Sequence, residues 1–149
     1  MRRIVAPLSL LLLACALASA GCRGAGTGRA GGNDSGGSDA GEVIKTLAAF
    51  TEELASKVET AEDTKAGLAE AQKLLDARKD ELASRVASLR ASPQVKSDAA
   101  ARGRLLEAEV DNTERVHRLQ VKFSDASTRD ADFKARLDKL VSDYDAIFK

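Results

Sequence analysis

Hydrophobic residues recur at helical spacing through most of the chain after position 41. The clearest pattern lies in residues 63–92, where leucines return every seven residues, at Leu68, Leu75, Leu82 and Leu89. At 3.6 residues per turn they lie along one slowly drifting stripe of a helix. Residues 64–91 contain no Pro and a single Gly, so we predict one helix there, about 42 Å long, with Asp63 as its cap.

Three further segments have an amphipathic helical pattern. The first covers residues 42–59, with Val43, Leu47, Phe50, Leu54 and Val58 on its apolar face. The next extends from Pro93 to about Phe123 through Val95, Leu106, Val110, Val116 and Leu119. The last carries Phe133, Leu137, Leu140, Tyr144 and Ile147. This pattern predicts an all-α protein, an antiparallel three- or four-helix bundle built from helical hairpins.

Local signals predict where these helices begin and end. Ser92 followed by Pro93 suits a cap and a first helical position. Gly103 marks either a close approach of a neighbouring helix or a kink. Polar residues 59–65 and 124–129 read as loops, and Ser127 with Asp130 has the spacing of a capping box before the last helix.

The leucine stripe has two interpretations, a bundle helix and a homodimeric zipper. A zipper needs a second apolar position three or four residues after each leucine. Those positions hold Ala71 or Gln72, Arg78 or Lys79, and Arg85 or Val86. Since this second seam is mostly missing, we favour a helix that packs within one chain, and a monomer, with a homodimer as the alternative.

The first 21 residues have the pattern of a secretory signal peptide. Arg2 and Arg3 precede an apolar run, residues 4–17, which ends in the small residues 18–21. The run is short for a transmembrane span. We therefore expect the chain to be exported.

The end of this segment, Ser19-Ala20-Gly21-Cys22, resembles the lipobox of bacterial lipoproteins, although Ser19 stands where that family usually has Leu. The resemblance implies that Cys22 is diacylated and becomes the new N-terminus. Cys15, which follows Leu12-Leu13-Ala14, is an alternative lipidation site, and residues 18–20 also fit an ordinary signal-peptidase site that would release a soluble protein. In enteric bacteria the family holds members with Asp after the cysteine in the inner membrane, so Arg23 implies the outer membrane.

Residues 22–41 separate the signal from the helices. Eight of the 19 residues from 23 to 41 are Gly, and none is an apolar residue larger than Ala. This composition predicts a disordered tether with a span of roughly 25 Å. The predicted organisation is therefore a signal peptide at 1–21, a lipid-anchored linker at 22–41 and a helical domain at 42–149.

Charge is balanced over the helical domain. Residues 42–149 hold 19 Lys and Arg against 21 Asp and Glu, and aromatic residues are 3% of the chain. Nucleic acid is therefore not an expected partner, because it requires basic and stacking surfaces. Acidic residues four positions before basic ones mark solvated helix faces: Glu53 and Lys57, Glu81 and Arg85, Asp98 and Arg102, Asp111 and Arg115, Glu114 and Arg118, Asp130 and Lys134, and Asp132 and Arg136.

Candidate chemistry is sparse. His117 is the only histidine, and Glu114 gives it the Glu-x-x-His spacing of helical di-iron proteins, which use that motif twice per bundle. The chain has no second copy and no cysteine after Cys22, so the usual donors for zinc or haem are missing. We expect no metal, no cofactor and no enzymatic activity.

The sequence thus predicts an exported, lipid-anchored protein of the bacterial envelope, on the outer membrane and facing the periplasm. Its helical domain is expected to act by contact with an envelope protein. The alternative is a soluble periplasmic chaperone or apolar-ligand binder, which would present an exposed apolar patch or groove.

Overall fold

A computed structural model describes residues 35–149, with side chains described from Ala40 onward. The elements, in chain order, are α1 (Ser35–Glu59), α2 (Thr64–Ala91), α3 (Pro93–Ser97), α4 (Ala99–Lys122), α5 (Ser124–Arg129), α6 (Ala131–Asp145) and a 3₁₀ turn (Ala146–Phe148). No strand occurs in this part of the chain. The all-α prediction is confirmed.

The four long helices, α1, α2, α4 and α6, form a bundle of two hairpins. Within the bundle α1 packs against α2 and α4, and α6 packs against the same two helices. Glu52 on α1 pairs with Arg115 on α4, and the later Glu59 pairs with both Arg115 and Lys122. Because residues later in one helix meet residues later in the other, α1 and α4 run in the same direction. Each hairpin is internally antiparallel.

The predicted central helix forms with its predicted bounds. Asp63 caps α2 by accepting hydrogen bonds from the backbone N–H groups of Lys65 and Ala66. The four stripe leucines, Leu68, Leu75, Leu82 and Leu89, are buried. Since α2 packs against α1 and α6, the chain's own helices cover the stripe that would form a zipper seam.

The main core fills the space between the four long helices. It comprises Leu47, Phe50, Leu54, Ala55, Val58, Leu68, Ala71, Leu75, Leu82, Val86, Val116, Leu119, Phe133, Leu137, Leu140, Val141, Tyr144 and Ile147. One hydrogen-bonded pair lies within it, formed by Tyr144 and Thr51. Thr51 also bonds the carbonyl oxygen of Leu47 at 2.8 Å, so Tyr144 donates to Thr51. Burial raises the pKa of Tyr144 to about 12, and the phenol stays neutral in the core.

Helix α1 begins earlier than the pattern predicts. Its first residue is Ser35, while the predicted start is Glu42. A physical reason is visible in the packing, because Ala40, Val43 and Ile44 contact a second apolar cluster made of Leu89, Val95, Ala101 and Leu105. These contacts join α1 to residues some 45 to 65 positions away. The glycine-rich composition that led us to predict a disordered tether up to residue 41 does not encode such distant contacts.

The third predicted helix is two helices, α3 and α4, separated at Asp98. The backbone of Asp98 is extended (φ −104°, ψ 111°), and its carboxylate accepts a hydrogen bond from Ala100 N at 2.8 Å. The carboxylate thus competes with helix continuation, as Asp does at caps. Gly103 lies inside α4, and nothing lies within 4 Å of the position that a Cβ would take there, so it does not mark a close approach of another helix.

The segment before the last helix also differs from the prediction. Residues 124–129 form the short helix α5 and not a loop. The predicted capping box is wrong, because Asp130 itself is the N-cap of α6 and accepts a hydrogen bond from Phe133 N at 3.0 Å. Asp130 also pairs with Lys65 at 2.5 Å, so the cap doubles as a contact between α6 and α2.

Candidate interaction surfaces

The predicted lipidation site, Cys22, and its alternative, Cys15, lie outside the described residues. What the structure does place is the start of α1, beside α3 and the first turn of α4 through the second apolar cluster. Helix α1 therefore begins at the end of the bundle where α3 lies.

His117 does not share a site with Glu114. The imidazole Nε2 lies 2.9 Å from Asp145 Oδ1 on the neighbouring helix α6, whereas Glu114 pairs with Arg118 at 3.1 Å. Both pairs are partly exposed. Within residues 35–149 no group of three or more His, Cys, Asp or Glu side chains comes together as metal ligands do.

Arg115 is the centre of an ion cluster that joins α1 to α4. Its guanidinium bonds both carboxylate oxygens of Glu59, at 2.9 and 3.1 Å, and one oxygen of Glu52 at 3.0 Å. Lys122 adds a contact to Glu59 at 3.3 Å. The hydrogen bond from Arg115 lowers the pKa of Glu59, and that to Glu59 raises the pKa of Arg115. Because each carboxylate is already engaged, this cluster is an inter-helix clamp.

Arg90 forms a second clamp, near the α3 end of the bundle. Its guanidinium bonds Glu109 through two nitrogens, at 2.8 and 3.0 Å, and the carbonyl oxygen of Phe148 at 2.8 Å. Glu109 is buried, and the fork geometry of Arg suits such a paired carboxylate. Arg90 thereby ties α2, α4 and the C-terminal turn together.

Most large apolar side chains of the described region are covered, and the exceptions lie on α4. Leu106 and Val110 are each 56% exposed, and Val121 is 76% exposed. Leu106 and Val110 are one turn apart, so they form a continuous patch, which we call the α4 patch. Single exposed apolar residues such as Val121 are ordinary, but two adjacent ones on one helix mark a candidate contact surface.

An open groove lies between the start of α1 and α4. It has a volume of about 540 Å³. Its lining combines small and apolar groups with four charged side chains: Ala40, Gly41, Ile44, Lys45, Gln94, Ala101, Arg104, Glu107, Ala108 and Asp111. Drug-sized ligands are held in concave pockets that cover most of their surface, whereas this groove is open and has four charged side chains in its lining.

The two ends of the bundle differ in charge. Residues 92–104, which we call the α3 end, hold three basic residues, Lys96, Arg102 and Arg104, and one acidic residue, Asp98. The opposite end, residues 60–65 and 123–130, holds four acidic and two basic residues. The net charges are therefore plus two and minus two. Counting charges by helix face missed this difference; a count around the predicted Ser92-Pro93 boundary would have found it.

The three basic side chains of the α3 end are exposed. Arg102 donates to the backbone carbonyl of Lys96 at 3.0 Å. Among the residues with described side chains, no carboxylate lies within ion-pair distance of any of the three.

Comparisons with protein-family models, with curated proteins and with solved structures find no match to this chain. No helix in residues 35–149 combines the length and the apolar character needed to cross a membrane. Inference about function therefore depends on the residues and the surfaces described above.

Proposed function

We propose that this protein is exported, is anchored by lipid on the outer membrane of a bacterial cell, and acts there as a helical interaction module. The sequence of the first 22 residues supports the export and the anchor. The observation that carries the interaction role is the exposed α4 patch of Leu106 and Val110. Contact surfaces differ from the remaining protein surface by such uncharged, apolar centres.

The alternative is a soluble periplasmic chaperone or apolar-ligand binder. A ligand binder of this kind needs an apolar recess. The groove of about 540 Å³ beside α4 is open and carries Lys45, Arg104, Glu107 and Asp111 in its lining. The open shape of this groove and its charged side chains favour the surface-contact role over ligand binding at this place.

Lipidation is tested by feeding expressing cells a palmitate analogue. We expect the parent protein to incorporate the label and Cys22→Ser to lose it, because the thiol at position 22 is the acylated group. Cys15→Ser is the matched control and should retain the label. Label that persists in Cys22→Ser and disappears in Cys15→Ser would move the anchor to Cys15. No label in the parent would contradict the anchor and favour the soluble alternative.

The contact role is tested with a photo-crosslinking amino acid at Val110 in the anchored protein. We expect a discrete covalent adduct with one envelope protein, because the α4 patch combines two adjacent exposed apolar side chains of the described bundle. Ala77, exposed on α2, is the matched control position and should give no such adduct. Equal adducts from both positions, or none from Val110, would contradict a specific contact through α4.

A further inference from the structure

The basic α3 end is also the end at which α1 begins. Ala40, Val43 and Ile44, near the start of α1, pack on Leu89, Val95, Ala101 and Leu105. This cluster includes residues of α3 and of the first turns of α4, which carry Lys96, Arg102 and Arg104. An anchor that precedes α1 in the sequence is therefore joined to the bundle at its basic end.

We propose that the α3 end docks on the anionic phospholipid headgroups of the membrane that holds the anchor. This inference rests on the lipid anchor of the proposed function. Anionic lipids give a bilayer a negative surface potential, which attracts Lys and Arg within about one Debye length of the surface. Lys96, Arg102 and Arg104 can be attracted in this way, because their side chains are exposed. Among the residues with described side chains, no carboxylate forms an ion pair with them.

The expected strength of docking follows from the number of charges. Each Lys or Arg near an anionic surface strengthens binding roughly fivefold, so three such residues are too few to hold a free protein firmly. A lipid anchor changes this, because it makes docking an intramolecular step at high effective concentration. An acyl chain combined with a basic patch is one of the combinations that give stable membrane attachment. The consequence is an oriented bundle, with the acidic end away from the bilayer.

A nucleic acid is a weaker candidate for this end. Its recognition combines basic residues with aromatic stacking surfaces, and residues 92–104 contain no aromatic side chain. The α4 patch begins at Leu106, immediately after this basic segment. Docking through the α3 end therefore leaves the patch on the side of the bundle, accessible to a protein partner.

Lysine acetylation on vesicles tests the proposal with the processed protein purified from cell membranes. The protein is reconstituted on vesicles of phosphatidylcholine alone, or of phosphatidylcholine with 30% phosphatidylglycerol, and mass spectrometry follows acetylation of Lys96 and Lys73. Lys73, exposed on α2, is the internal reference. We expect Lys96 to react at least fivefold more slowly than Lys73 on the anionic vesicles, and the difference to disappear on neutral vesicles and at high salt.

Two pairs of variants distinguish docking by charge from a structural effect. Arg102→Gln with Arg104→Gln should weaken docking roughly 25-fold and remove the protection of Lys96. Arg102→Lys with Arg104→Lys keeps the charge and should keep the protection. The matched control, Arg129→Gln with Arg136→Gln, removes two charges outside the α3 end. It should leave the protection of Lys96 on anionic vesicles unchanged. Equal reactivity of Lys96 on both vesicle types, or protection that survives loss of Arg102 and Arg104, would overturn the proposal.

The same reconstitution separates this inference from the anchor. Retention of the protein on neutral vesicles reports the lipid anchor, whereas anionic-lipid-dependent protection of Lys96 reports docking. A protein that leaves neutral vesicles, yet sediments with anionic ones in a manner dependent on Arg102 and Arg104, would reject the anchor and support the basic end as a lipid-binding surface. Retention without protection would keep the anchor and reject the docking.

Discussion

Replacing Leu75 by Ala is expected to lower the free energy of unfolding by about 2 to 5 kcal/mol. Leu75 is 0% exposed and lies in the main core, at the middle of α2. The loss combines the transfer free energy of the deleted methyl and methylene groups with a residual cavity. A domain of this size has only about 5 to 15 kcal/mol in total. Chemical denaturation followed by circular dichroism measures the change.

The matched control is the same substitution at an exposed position, Leu106→Ala. Leu106 is 56% exposed on α4, so its replacement should change the free energy of unfolding by no more than about 0.5 kcal/mol. Equal losses at Leu75 and Leu106 would contradict the described core. Leu82 is buried on the same stripe, so Leu82→Ala should lower the free energy of unfolding by a similar amount to Leu75→Ala.

Thermal melts of the parent protein distinguish a monomeric bundle from a homodimeric zipper. If the leucine stripe is buried within one chain, the melting temperature of the parent should not change over a hundredfold range of protein concentration. A zipper predicts a midpoint that rises with concentration, together with a dimer mass in light scattering. In that case Leu75→Ala would weaken association before it unfolds the chain.

The elements that the sequence predicted well have strong signals close together in the chain. Helix α2 extends from Thr64 to Ala91, as predicted. Asp63 supplies a side-chain cap at one end, Ser92 and Pro93 end the helix at the other, and the leucine spacing sets the buried face. The apolar residues of the last helix are buried for the same reason. A spacing of three and four residues fixes their common face.

The wrong boundaries have non-local or competing causes. The start of α1 at Ser35 lies in a glycine-containing stretch, and the nearby Ala40 packs on a cluster contributed by α2, α3 and α4. The break at Asp98 reflects a competition between a side-chain cap and a continuous helix. In both cases the deciding interaction involves geometry that apolar spacing does not encode.

The ion pairs also divide into those that local spacing predicts and those that depend on another helix. Three of the predicted pairs four residues apart form, namely Glu81 with Arg85, Glu114 with Arg118, and Asp132 with Arg136. Arg115 instead contacts α1, and Lys57 contacts Glu70 on α2 at 3.8 Å. Exposed pairs within one helix contribute only a few tenths of a kcal/mol, so a bidentate partner on another helix readily replaces them.

The candidate surfaces could be predicted only in part. The sequence places Leu106 and Val110 on the apolar face of the third predicted helix, whereas the structure buries Leu105 and leaves these two exposed. A rotation of the predicted face by about one residue accounts for the difference, since neighbouring positions on a helix are 100° apart. The charge of the α3 end is already present in the sequence of residues 92–104, whereas the position of the start of α1 beside that segment depends on the fold.

Replacing Gly67 by Ala is expected to destabilise the bundle by about 1 to 3 kcal/mol, although Ala is the better helix former. Gly67 is buried in the first turn of α2. A Cβ at this position would overlap the backbone carbonyl oxygen of Lys57 and the Cβ of Ala61. A backbone atom cannot swing aside as a flexible side chain does, so the turn between α1 and α2 would have to shift.

Gly103→Ala is the control that isolates this packing effect. Gly103 is also helical, but nothing lies within 4 Å of the position that its Cβ would take. There the helix propensity of Ala acts alone, and we expect a gain of about 1 kcal/mol. The two variants should therefore shift the denaturation midpoint in opposite directions. A gain at both positions would show that α1 and α2 do not approach each other at Gly67 as closely as described.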